Sequence, residues 1–285
     1  MTAVGVWDFD AIGTRWQIVM PAAPDDGVRE RVSAVIDAFD REWSRFRPDS
    51  LVTTLSGGGR VTAPVDAADM LDTYAALSRA TEGAVNPLVG GSLARRGYDA
   101  AYSLTDGGAA PTPAAWDDVL SWAHGVLQLS APALIDVGAL GKGRLVDLVA
   151  AALGDEPAVV DAGGDIRVRG RTERIALEHP YDSATAIGVW EITDGALCAS
   201  ATNRRAWGDG LHHVLDARTG QPVRTVAATW AAAPTAMIAD AAATALFFDG
   251  GVALAHEWDA PWVRMLSDGR VEWSPGCPAD LFLPR

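Results

Sequence analysis

Two histidines stand side by side in LHHVLDARTGQPV, residues Leu211–Val223, and Asp216 lies three residues beyond the second. The chain has only 5 histidines, so the doublet invites a chemical reading. An imidazole titrates near neutrality and can act as a general base or a metal ligand. In an extended strand, neighbouring side chains point to opposite faces, so His212 and His213 cannot both address one site. That weakens a two-histidine metal site and leaves one ring facing a site while the other packs or meets solvent. A buried, hydrogen-bonded histidine is the competing reading of either ring.

Three other stretches carry chemistry. In ADAAAT, residues 239–244, Asp240 and Thr244 are four apart, which places them on one face of a helix. A carboxylate and a hydroxyl so placed can share a hard cation such as Mg²⁺. The alternative is Thr244 bonding back to the Asp240 carbonyl within a packing helix. In DVGALGKGRLVD, residues 136–147, a strand runs into a Gly-rich turn and a helix begins near Lys142. Backbone N–H groups beside an ammonium make an anion site, although the spacing is not that of a phosphate-binding loop ending in GK[ST]. A plain strand-to-helix turn with a solvated Lys142 is the alternative. In DAGGDIRVRG, residues 161–170, Gly163 and Gly164 permit close approach of a flat ligand or a backbone. Asp165 there either accepts hydrogen bonds from a ligand or caps a tight hairpin.

The elements that must position these groups follow from periodicity. RWQIVM, residues 15–20, reads as a strand. From Asp25 to Trp43 the residues Val28, Val32, Val35, Ile36, Phe39 and Trp43 form one apolar helical face, which Pro48 ends. Ala67 to Thr81 and TAMIADAAATALFF are helical, and LVDLVAAALG continues from Lys142. LQLSAPALIDV, AVVDA, IRVRG, RIALEH, WEITDG, ALCAS, HHVLDA and TVAATWAAA read as strands. Residues 99–116 are rich in Gly, Ala, Pro, Ser and Thr and are expected to form a surface excursion. Strands in runs with inserted helices predict an α+β fold with a mixed or antiparallel sheet, as one compact domain over residues 1–285.

A net charge of −14 excludes a general nucleic-acid binder and leaves any phosphorylated ligand in need of a cation. Two cysteines with no CxxC spacing argue against a disulfide framework or a structural zinc site. The start, MTAVGVWDFDAIGTRW, lacks the basic and apolar segments of a secretory signal, and no run is long enough to span a membrane. A cytoplasmic location is expected.

In this order along the chain, the segments resemble the ApbE-type FAD:protein FMN transferases over nearly the full length. AIGT at Ala11–Thr14 is similar to the family's Met-Gly-Thr element. SRFRPDS follows its S-x-[FY]-x-x-x-S, and TEGAVNPLVGGSL follows TGGxFDPTVGPL. DVGALGKGRLVD resembles DLGGIAKGYAVD, and DAGGDI resembles NxGGDI. HHVLDARTG and ADAAATALF are similar to HHIIDPRTG and ADALATALF. The departures are Ala199-Ser200-Ala201 for TSG, Gly141 for Ala, Ala217 for Pro and Asn86 for Asp.

The resemblance implies transfer of FMN from FAD to a Ser or Thr hydroxyl of an acceptor flavoprotein, with release of AMP and use of Mg²⁺. It implies Asp240, Thr244 and the Ala139 carbonyl as metal ligands, Lys142 near the pyrophosphate, and Phe46, Asn86 and Asp165 around the flavin or adenosine. It makes His213 the catalytic residue. The acceptor would carry a D-G-x-[ST]-G-A-[ST] stretch, of which this chain has no good copy, so self-modification is not expected. Mg²⁺-dependent hydrolysis of FAD to FMN and AMP is a second reading, and a non-catalytic FAD carrier is a third.

Overall fold

The structure is a computed structural model that describes residues 4–282; the first three residues of MTAVGV, read above for a signal, lie outside the described residues. Strands β1 (Gly5–Ala11) and β2 (Thr14–Met20) form a hairpin. Helix α1 (Asp26–Trp43) follows, its first turn capped by Asp25, whose carboxylate accepts from the Val28 N–H at 2.8 Å. Then come α2 (Leu51–Leu55), β3 (Gly59–Thr62), α3 (Ala67–Ala80), α4 (Gly90–Arg95) and α5 (Trp116–Val119). The hairpin β4 (Leu120–Ala123) and β5 (Val126–Leu129) leads to α6 (Gly141–Ala152). Five strands succeed it: β6 (Ala158–Ala162), β7 (Asp165–Arg169), β8 (Thr172–His179), β9 (Asp182–Thr193) and β10 (Ala196–Ala201). Four two-residue strands follow, β11 (Ala206–Trp207), β12 (Leu211–His212), β13 (Leu215–Asp216) and β14 (Gln221–Pro222). Last are β15 (Val226–Ala233), α7 (Ala236–Ala245), α8 (Gly251–Glu257), β16 (Trp262–Leu266), β17 (Val271–Trp273) and β18 (Asp280–Leu281).

Eight strands form the central sheet in the order β1-β2-β6-β7-β10-β15-β16-β17, each pairing antiparallel. This is the α+β architecture expected from strands that come in runs. One face carries Trp16 and Ile18 of β2, which pack with Ile36 and Phe39 of α1 and Val146 and Val149 of α6. The other face is covered by the β18-β9-β8 sheet, where Leu177 and Trp190 meet Val168, Leu197 and Trp230. Burying each such side chain stabilises the fold by roughly 1.5–3 kcal/mol. The result is a single compact domain of three layers.

Several local expectations change. LQLSAPALIDV is strand only to Leu129, because Pro132 cannot donate to a ladder and the chain there becomes irregular. HHVLDA is not one strand: β12 ends at His212 and β13 begins at Leu215, with His213 between them. The 99–116 excursion is largely exposed, but Gly107 N–H donates to Arg95 O at 2.8 Å and Thr112 N–H to Ala217 O at 2.8 Å. It is therefore a fastened loop, and Tyr102 and Leu104 within it face a large cavity.

Helices α6 and α7 cap one another. Neither oxygen of Asp147 on α6 is idle: they accept from the N–H groups of Ala236 and Met237, at 2.9 Å each, at the start of α7. In return Asp240 Oδ2 on α7 accepts from Gly143 N–H at 3.0 Å in the first turn of α6, where Leu140 offers no side-chain cap. Orphan N–H groups at both helix starts are thereby satisfied across the interface. The helices can close to this distance because position 143 has no side chain; a Cβ there would stand 2.2 Å from the Ala236 carbonyl oxygen. Asp147→Ala is expected to lower stability by about 1–3 kcal/mol through two lost cap bonds, read as a shift in denaturant midpoint at constant slope.

Candidate active site

A cavity of about 840 Å³ opens where the β1–β2 turn, the end of β10, the β6–β7 turn, the start of α6, the Asp240–Thr244 face of α7, and the loops around Phe46, Asn86 and His213 converge. Of the residues singled out from the sequence, Phe46, Asn86, Ala139, Lys142, His213, Asp240 and Thr244 all line it. Asp165 does not. It is fully buried in β7, behind the wall, where its Oδ2 lies 2.5 Å from Lys142 Nζ. Nor does Asp165 cap the β6–β7 turn; Asp161 does, accepting from Gly164 N–H at 2.9 Å.

The floor is a cluster of oxygen atoms. Thr244 Oγ1 donates to the Ala139 carbonyl oxygen at 3.1 Å, so the bond back to Asp240 is not the one it makes. Asp240 stands one turn earlier on the same helix face, held by Gly143 N–H. The Ala139 carbonyl is fixed in turn: Tyr74 Oη accepts from Ala139 N–H at 3.2 Å and donates to Asp136 O at 3.1 Å. Burial first, and then the neighbouring Asp165 carboxylate, hold Asp240 well above the usual carboxylate range. Both oxygens of Asp165 are buried without a well-angled hydrogen bond. The Asp240 carboxylate beside the Thr244 hydroxyl and the Ala139 carbonyl forms a hard-oxygen donor set, and it fits a cation such as Mg²⁺. Among the described residues no group of three His, Cys, Asp or Glu side chains is placed to hold a metal, so a site here would depend on the hydroxyl and carbonyl.

Lys142 joins the floor to the wall. Its ammonium donates to Ala162 O at 3.0 Å and pairs with Asp165. Burial alone would lower its pKa, but Asp165 and Asp240 outweigh that and raise it, so the charge persists. The side chain stays 22 % exposed and faces the cavity. This is a tethered cation at a helix start, not the solvated lysine of the bland alternative.

One wall is aromatic. Phe46 stacks on Tyr102 with centroids 5.2 Å apart, and Tyr98 stacks on Trp207 at 5.5 Å. The Arg45 guanidinium lies 4.2 Å from the Phe46 ring centroid and is anchored by Asp136, with Nε 2.5 Å from Oδ2. A flat, conjugated ligand is the natural occupant of such a wall. Asn86 is buried, with its amide committed internally: Nδ2 donates to Gly83 O and Thr112 Oγ1, and Oδ1 accepts from Leu88 N–H.

The two histidines part as alternation expected, although His213 lies outside the strand. His212 is 7 % exposed, with Nε2 donating to Val223 O at 2.8 Å and Nδ1 accepting from Val214 N–H at 3.3 Å. It is a packed, hydrogen-bonded ring. His213 turns to the cavity. Its Nδ1 is buried without a partner, which leaves Nε2 as the nitrogen with access to a substrate. Burial chiefly, then the Arg205 cation and His212, push this imidazole down to about 3, with the Arg205 backbone and Asp136 opposing. The ring is neutral at physiological pH and can accept a proton.

Residues 12–260 match the family model described as the ApbE family. The chain belongs to the ApbE family. Similar proteins include the FAD:protein FMN transferase of Rhodobacter capsulatus, 28 % identical over 269 residues and covering 85 % of this chain and 51 % of the relative. The FAD:protein FMN transferase of Klebsiella pneumoniae (strain 342) is 33 % identical over 96 residues, 31 % of this chain and 30 % of that one. The chain thus spans about half the length, or less, of these relatives. The ApbE fold is shared with the ApbE protein of Thermotoga maritima, with a TM-score of 0.82 at 22 % identity over 95 % of this chain and 97 % of the other. It is shared equally with the flavin transferase ApbE of Vibrio cholerae, with a TM-score of 0.79 at 22 % identity and the same coverage.

Sequence reasoning missed three members of this ApbE site. Asp147 and Asp136 hold the helices and the turn that carry the oxygen cluster, and Arg45 forms part of the aromatic wall. The signal for Arg45 was an arginine immediately after a helix whose apolar face ends at Trp43, close enough to the core to need an acid partner.

Proposed function

We propose that this protein transfers FMN from FAD to a Ser or Thr hydroxyl of an acceptor flavoprotein, releasing AMP, with Mg²⁺ bound at Asp240, Thr244 and the Ala139 carbonyl. The observation that carries this reading is the placement in one cavity of a hard-oxygen cluster, a tethered ammonium, an aromatic wall and a neutral histidine. Each meets one requirement of the reaction. The aromatic wall takes a flat ring of FAD. Lys142 meets a pyrophosphate oxygen and keeps its charge through the neighbouring carboxylates of Asp165 and Asp240.

The acceptor oxygen attacks the phosphorus on the riboflavin side, a new P–O bond forms, and the bond to the bridging oxygen breaks to release AMP. His213 Nε2 takes the hydroxyl proton as the oxygen attacks. An anionic pyrophosphate in the cavity raises the basicity of His213 from its substrate-free value. When bound, the metal supplies Lewis-acid stabilisation of charge on the phosphoryl oxygens. The acceptor is a separate protein with a D-G-x-[ST]-G-A-[ST]-like stretch, and the free thiols of Cys198 and Cys277 suit a reducing cytoplasm. No helix among the described residues is long and apolar enough to cross a membrane.

The test follows AMP release from FAD with and without a peptide carrying that stretch. Release is expected to require both peptide and Mg²⁺ and to stop on chelation. Release at the same rate without peptide would favour hydrolysis and sink the transferase reading.

A further inference from the structure

The end of β10 presents a short open edge at the cavity. β7 pairs with β10 only at Ala196, Leu197 and Cys198, whereas β15 continues alongside through Ala201. The β6–β7 turn ends the coverage: Ala199 N–H donates to Gly164 O at 3.0 Å, but Gly164 N–H is taken by Asp161. Backbone groups alternate in direction along a strand. Ala199 therefore turns its carbonyl, and Ala201 its N–H, away from β15 and toward the space β7 has vacated. Among the described residues neither group has a hydrogen-bond partner. Unpaired strand groups of this kind are a template for an added strand.

The edge lies between two spaces. Gly163, Ala199, Ser200, Ala201 and Arg204 line both the main cavity and a second cleft of about 300 Å³ under β8. Alternation assigns the faces. Cys198 on β10 bonds toward α7, so Ser200 turns to the same side, toward the main cavity. Ala199 and Ala201 pack on the other side, with the core beneath β8 and β9.

We infer that an extended segment of the acceptor docks on this edge parallel to β10, with its Ser or Thr directly opposite Ser200. In parallel pairing, one residue placed there donates its N–H to the Ala199 carbonyl and accepts from the Ala201 N–H. Paired residues share a face, so its hydroxyl enters the main cavity that His213 lines, while its two neighbours turn toward the second cleft. The small side chains of Ala199 and Ala201, with the glycines of the β6–β7 turn, leave room for a backbone. Arg204 stands at the boundary of both spaces, its guanidinium paired with Glu178 at 2.8 Å, and an acidic residue of the segment would share that cation. This inference rests on the transferase reading and specifies its acceptor site.

The experiment uses the wild-type protein, FAD, Mg²⁺ and a set of peptides carrying D-G-x-[ST]-G-A-[ST], each methylated at one backbone nitrogen. Methylation at the hydroxyl residue is expected to lower kcat/KM by about fivefold to tenfold, the value of one strand hydrogen bond, with either adjacent nitrogen tolerant. Ala201→Pro, which removes the matching N–H on the enzyme, is expected to raise the peptide KM by a similar factor and to abolish the sensitivity of the peptide's carbonyl to ester replacement at the following residue. Equal sensitivity at adjacent positions, or none anywhere, with transfer proceeding, would overturn the docking mode and leave the transferase reading standing. No transfer to the unmodified peptide, with AMP still released, would overturn the transferase reading and the docking mode with it.

Discussion

Asp240→Asn is expected to lower the rate of FMN transfer by about 10²–10³-fold, the scale of losing a charge-stabilising group in a phosphoryl transition state. The side chain keeps its shape, and its oxygen can still accept from Gly143 N–H, so α6 and α7 stay docked. What the variant lacks is a carboxyl group that a bound cation can hold ionised beside Thr244 Oγ1 and the Ala139 carbonyl. The loss should appear as a weaker response to Mg²⁺. Adding Mg²⁺ is expected to raise the thermal midpoint of the parent protein by mass action and to leave the variant's nearly unmoved. A variant with parental activity and a parental Mg²⁺ response would remove Asp240 from the metal site.

His213→Ala is expected to lower kcat by about 10²–10⁴-fold while leaving FAD binding close to the parent's, since the ring acts on the proton and not on the dinucleotide's anchors. Stability supplies an independent readout. In the folded protein this imidazole is pushed down to about 3, from an ordinary value of 6.5. Between those limits the unfolded chain binds a proton that the folded one refuses. Stability from this group is therefore present above pH 6.5 and is lost as pH falls toward about 3. His213→Ala should show a smaller loss of denaturant midpoint on acidification than the parent. An identical acid response would mean that His213 is not sequestered as the structure has it.

The sequence announced what local spacing controls. The apolar face from Val28 to Trp43 made α1 legible, and the four-residue step from Asp240 to Thr244 put both groups on one side of α7. Groups whose partners lie far along the chain were not legible. Asp147 finds Ala236 across 89 residues and Arg45 finds Asp136 across 91, and nothing near either acid or arginine in sequence predicts the pairing. The neighbours of Asp165 alone leave it open between a ligand group and a turn cap, and the resemblance puts it around the flavin or adenosine; β7 turns it inward against Lys142. The two rings part as alternation suggested, with His213, the one the resemblance named, facing the cavity, but the physical cause is a break between β12 and β13, not a strand running through it. Strands of two residues carry too little periodicity to be read at all.

The most direct measurement is the intact mass of an acceptor peptide after incubation with the protein, FAD and Mg²⁺, with parallel samples in chelator and with Asp240→Asn. The expected result is a gain of one FMN on the hydroxyl-bearing residue, absent with chelator and strongly reduced in the variant. An unmodified peptide beside peptide-independent AMP release would contradict the transfer chemistry, and undiminished modification in chelator would contradict the metal.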